Sequence, residues 1–126
     1  MTDAEFEEQK ARVECYIEKW RGPLGLWAWT IHWDWHRGPY ADGASDIVAD
    51  REASCESDWR YLVATIRFDL SVIKRFDDEL VESTVIHEFM HMILNEMRGD
   101  TEDDHAHEER VATTLAQAFQ AVGRRP

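Results

Sequence analysis

His87-Glu88-Phe89-Met90-His91 is the stretch of this chain whose residue types and spacing can do chemistry. On a helix, two histidines four positions apart lie about 40° apart round the axis and about 6 Å apart along it, so both imidazoles can converge on one ion. Glu88 lies about 100° round from His87, placed to reach a water on that ion rather than the ion itself. The arrangement is that of a hydrolytic zinc (Zn2+) site, with His87 and His91 as neutral imidazole ligands and Glu88 as general base. Such a site brings the pKa of a bound water towards neutrality, and Glu88 is placed to take the proton of that water.

Catalytic zinc takes three protein ligands and keeps one position for water. A metzincin would continue with Gly and His at fixed offsets, but those offsets hold Leu94 and Met97, which excludes that class. The carboxylates of Glu108-Glu109, at the start of a following helical pattern, can supply the third ligand. Helical angles put Glu108 at the centre of the apolar face made by Val111, Ala112, Leu115 and Phe119, and Glu109 about 100° away above Ala112, Thr113 and Ala116. These small side chains allow two helices to approach closely. Glu109 is therefore the expected ligand, with Thr113 bonded to a ligand imidazole; Glu108 is the alternative, and His105, His107 and the loop aspartates stay open.

The elements that must position these groups follow from periodicity. Phe6, Val13, Ile17 and Trp20 predict an amphipathic helix from about Asp3 to Arg21, stopped by Gly22-Pro23. Trp27, Trp29, Ile31, Trp33 and Trp35 alternate with polar or small residues, the period of a strand with one apolar face, and these indoles are expected to be core. A loop over His36 to Gly43, a weaker strand from Asp46 to Cys55, a turn at Glu56-Ser57-Asp58 and a third strand from Tyr61 to Leu70 predict an antiparallel meander. The third strand is a candidate exposed edge that pairs with an extended substrate. Acidic Asp77, Asp78 and Glu79 open a helix whose stripe includes Val81, Val85, Phe89 and Met92 and which is expected to end at Gly99. A polar loop from Asp100 to Asp104 precedes a last helix of about 18 residues.

His87 to His91, followed by Glu109-Arg110-Val111-Ala112-Thr113-Thr114-Leu115-Ala116, resembles the minimal gluzincin zinc metallopeptidases, including the ImmA/IrrE-like proteins of bacteria and phages. Their pattern is HExxH and then E-x-x-A-N-x-F-A on the next helix; Thr113 stands where the family has Asn. Small phage zincin-like proteins are similar in having a Trp/Tyr-rich strand region and a strand like Ala64 to Leu70 before the active-site helix. The resemblance covers roughly Ala64 to Phe119. It implies a zincin-like α+β fold: an N-terminal helix, a three-stranded, twisted, largely antiparallel sheet, the HExxH helix and a C-terminal helix bearing the third ligand. It also implies a zinc metallopeptidase acting on a peptide or protein substrate. The alternative is a zincin-fold binding or regulatory protein that holds zinc with little or no proteolysis. Larger gluzincins add an oxyanion donor from a downstream domain; in this chain the candidates for that role are His32, His36, Tyr40 and Tyr61.

A length of 126 residues suits one domain spanning 1–126 with a sizeable core. The 26 acidic against 14 basic side chains give a net charge of -12, which disfavours binding to nucleic acid or anionic membranes. Cys15 and Cys55 match no zinc ribbon or CxxC pair and are expected to be reduced. The acidic N-terminus is unlike a signal peptide and no apolar run approaches a membrane span, so a cytoplasmic location is expected. The sequence sets no oligomeric state.

Overall fold

The computed structural model describes residues 1–41 and 51–124, and it is α+β, with four α-helices and a three-stranded mixed sheet among the described residues. Helix α1 runs over Asp3–Arg21. Thr2 accepts from the Glu5 N–H while the Glu5 side chain returns to the Thr2 N–H, so two of the helix's orphan donors are satisfied. Val13 and Trp20 are buried. Arg12 ties α1 to the rest of the fold through the Phe76 carbonyl at 2.8 Å and Asp78 at 2.9 Å.

Strand β1 is Thr30–His36, shorter than the alternating indoles suggest. Its pairing begins where the Thr30 N–H donates to the Leu62 carbonyl. Trp27 is left outside, 59% exposed and stacked under the Arg21 guanidinium, so it is not core. Trp29, Ile31, Trp33 and Trp35 do pack against the core, as alternation requires.

Strand β2 is Ala53–Asp58 and β3 is Val63–Asp69, in the order β1-β3-β2. The meander is therefore corrected. β1 runs parallel to β3, with Trp33 opposite Ile66, while β2 runs antiparallel to β3, with Cys55 opposite Ile66. Only the β2–β3 link is short enough for a hairpin; the long link from β1 to β2 lets the chain cross and leave the central place to β3. Alternation is the same in parallel and antiparallel strands, so it carries no direction. Glu56, Ser57 and Asp58 belong to β2 rather than to a turn. Of the expected strand from Asp46 to Cys55 and the loop ending at Gly43, residues 42–50 lie outside those described. β3 is central, so it offers no edge; among the described residues β1 and β2 are the outer strands.

Asp69 ends β3 and caps the short helix α2, Leu70–Ile73, through the Ser71 N–H at 3.0 Å. This turn of helix swings the chain into α3, Asp78–Leu94, capped by Asp77. α3 packs on α1, α4 and β2, and its Phe89 meets Trp33 edge to face. The helix stops five residues before Gly99 and continues only as a 3-10 turn, Asn95–Met97. Helix α4 covers Glu102–Gly123, 22 residues, because Thr101 and Asp104 form a capping box that draws the acidic loop into its first turn. Glu108 and Glu109 consequently sit in its second turn, facing α3. No helix among the described residues is long and apolar enough to cross a membrane.

Candidate metal centre

His87 and His91 stand one turn apart in the middle of α3, with Phe89 and Met90 between them fully in the core. The two intervening side chains anchor that length of helix, so the imidazoles are presented from a rigid base. The His87 and His91 Nε2 atoms are 3.1 Å apart. Glu109, arriving from α4, straddles them: its Oε1 is 2.8 Å from His87 Nε2 and its Oε2 is 3.0 Å from His91 Nε2. Four hard or borderline donor atoms thus converge on one point. Donors around a tetrahedral zinc at about 2.1 Å would be roughly 3.4 Å apart, a little wider than the 2.8 to 3.1 Å found here.

Each imidazole is held from behind. Glu108 Oε1 lies 2.7 Å from His91 Nδ1. Thr113 Oγ1 lies 3.5 Å from His87 Nδ1, and its own proton is given to the Glu109 carbonyl at 2.9 Å, which leaves the hydroxyl oxygen as an acceptor. Acceptors behind both Nδ1 atoms select the tautomer whose Nε2 lone pairs point inward. Two lone pairs facing a carboxylate need a positive charge between them. In the metal-free chain that charge is a proton: burial pulls the His91 pKa down, but Glu109, Glu88 and Glu108 outweigh it and raise it to about 9. The Glu109 carboxyl is correspondingly held far below the usual range by its hydrogen bonds to His87 and His91. A divalent cation satisfies the same donors, so this donor set fits zinc.

Glu108, the alternative third ligand, is buried on the α3 side of α4 as its place in the apolar stripe suggested, but it backs His91 from the Nδ1 side. Its Oε2 is 3.4 Å from Arg98 Nε, outside hydrogen-bond alignment. Glu88 is 5% exposed, and its Oε2 has no hydrogen-bond partner. A carboxylate oxygen of Glu88 lies within 4.8 Å of a ring nitrogen of each of His87 and His91, so these three groups could themselves hold an ion, while Glu109 comes closer to both Nε2 atoms. Burial pushes the Glu88 pKa up to about 7 against the pull of the two imidazoles. A carboxyl poised near neutral pH and carrying a free oxygen is suited to take up a proton.

The centre opens into a cavity of about 550 Å³. One wall is residues 51–57, including the outer strand β2; the others are α3 and the start of α4. None of the expected oxyanion donors His32, His36, Tyr40 or Tyr61 is in its lining, which corrects that expectation. Those four sit on β1 or beside the sheet, whereas Asn95, Arg98 and His105 line the cavity. The sequence offers His105 only as a possible ligand; its position one helical turn before Glu109 is the signal that puts it on this wall. His107 faces a separate, smaller hollow with Asp104 and Val111. No family model matches the sequence, and no curated protein or solved structure is significantly similar to the chain.

Proposed function

We propose that this protein is a zinc-dependent peptidase of zincin-like design, in which His87, His91 and Glu109 hold the metal and Glu88 is the general base. The observation that carries the reading is the convergence of His87 Nε2, His91 Nε2 and both Glu109 oxygens within 3.1 Å, beside a buried carboxylate with an unpartnered oxygen. A zinc ion bound there supplies Lewis acidity and acidifies a coordinated water. Glu88 accepts the proton of the attacking water and, shielded from solvent, keeps it until the leaving amine takes it. Glu108 and Thr113 hold the imidazoles in the tautomer that faces inward. Among the described residues β2 is an outer strand of the sheet and borders the cavity, a place where an extended peptide can lie along it.

The test is hydrolysis of a quenched-fluorescent peptide library by zinc-loaded wild type and by Glu88→Gln. Cleavage by the wild type, lost by at least about a hundredfold in the variant, supports the reading. Zinc binding in both proteins with no cleavage by either favours the alternative, a zinc-bearing binding or regulatory protein.

A further inference from the structure

The cavity wall contains two carboxylates that the metal centre does not use, Glu52 and Glu56. Glu52 immediately precedes β2, and its backbone carbonyl accepts from the Asp69 N–H at 3.0 Å, which fixes it against the end of β3. Its side chain is half-buried and lines the same cavity as His87 and Glu88. Three of the other carboxylates there are engaged: Glu108 on His91, Glu109 on both imidazoles, and Glu56 on Arg67 at 3.5 Å. The Glu52 carboxylate makes no hydrogen bond or ion pair among the described residues.

Glu52 and the 95% buried Glu88, whose Oε2 has no hydrogen-bond partner, thus line one partly desolvated space. A carboxylate such as Glu52, partly stripped of water and without a partner among the described residues, is stabilised by a cation that enters the cavity beside it. Of the cations in the wall, Arg98 is directed at Glu108; Arg51 adjoins Glu52 in sequence. The overall charge of -12 favours cationic ligands at longer range.

We propose that Glu52 recognises a positively charged nitrogen on the substrate, either the free α-amine of a peptide or a Lys or Arg side chain beside the scissile bond. The proposal rests on the peptidase reading and gives it a substrate class. An ammonium has three donors and a guanidinium five, so either can bond Glu52 while the peptide backbone continues along β2.

The experiment measures peptide binding by calorimetry to the zinc-loaded full chain carrying Glu88→Gln, so that turnover does not interfere. The probes are one lysine-containing peptide, its N-acetylated form, its norleucine form and the form with both changes. The cationic peptide is expected to bind about tenfold more tightly than the doubly neutral one, the scale of a partly buried ion pair. Loss of affinity on acetylation alone identifies the α-amine, and loss with norleucine alone identifies the side chain. Adding Glu52→Gln should abolish the preference, and Glu52→Lys should reverse it towards a matched glutamate peptide. A preference that survives Glu52→Gln, equal binding of all probes, or binding of none overturns the proposal. So do two zinc ions per wild-type chain falling to one in Glu52→Gln, since Glu52 would then serve a metal. The peptidase reading is judged separately: if the wild type cleaves no peptide that the Glu88→Gln chain binds selectively, hydrolysis fails while the assignment of Glu52 stands.

Discussion

Glu108 Oε1 lies 2.7 Å from His91 Nδ1, while its neighbour Glu109 places one carboxylate oxygen 3.0 Å from Nε2 of the same ring. Consecutive residues on α4 therefore grip opposite edges of one imidazole. Their 100° separation round the helix gives them different work: Glu109 faces the point of convergence and Glu108 orients the ring from behind.

This division predicts different zinc affinities for single substitutions. Glu108→Ala should weaken zinc binding by about ten- to a hundredfold, as loss of a hydrogen bond behind a ligand does. Glu109→Ala should abolish stoichiometric binding at the same metal concentration. Competition titration with a chelating dye distinguishes them, and equal retention of zinc by the two variants would contradict the assignment.

Phe89 ties the site to the core. It is fully buried and packs on Trp33 with ring centroids 6.3 Å apart. Phe89→Ala should cost about 3–5 kcal/mol in chemical denaturation, the range for emptying a buried aromatic site. A loss under 1 kcal/mol would mean that α3 is not anchored through this residue.

Away from the site, Glu82 is buried between α1, α3 and α4, accepting from Lys19 at 2.6 Å, Trp20 Nε1 at 2.9 Å and Gln120 Nε2 at 3.3 Å. Burial raises its pKa, but these three donors outweigh it and leave the value below the ordinary 4.5. The folded value being the lower one, the stability Glu82 contributes is complete above pH 4.5 and is lost as pH falls through the folded value. Denaturation midpoints of the wild type should therefore drop on acidification below pH 4.5 more steeply than those of Glu82→Gln. At pH 7 that variant should be less stable by roughly 1–3 kcal/mol. Parallel pH profiles for the two proteins would refute the role of this carboxylate.

The parts of the fold legible in the sequence are those fixed by local periodicity. The His87 to His91 spacing needs only a helix to bring two rings together, and the small residues Ala112 and Ala116, both buried, mark the face where α4 meets α3. Angles within α4 put Glu108 and Glu109 on neighbouring faces, but which of them meets the two Nε2 atoms depends on how α4 packs on α3. Strand direction could not be anticipated, since Trp33 and Ile66 alternate identically whether their strands run parallel or antiparallel. β2 was hardest to read: Ala53-Ser54-Cys55-Glu56-Ser57-Asp58 has weak strand preference and is a strand through its pairing with β3. The composition of the cavity wall was hidden for the same reason, because sheet order decides that residues 51–57 face α3.

The most direct measurement is calorimetric titration of the metal-free chain with Zn2+, combined with thermal unfolding. The account predicts one zinc per chain, a rise in Tm that grows with free zinc concentration, and loss of both signals in Glu109→Ala. A wild-type chain that shows no binding heat and an unchanged Tm would contradict it.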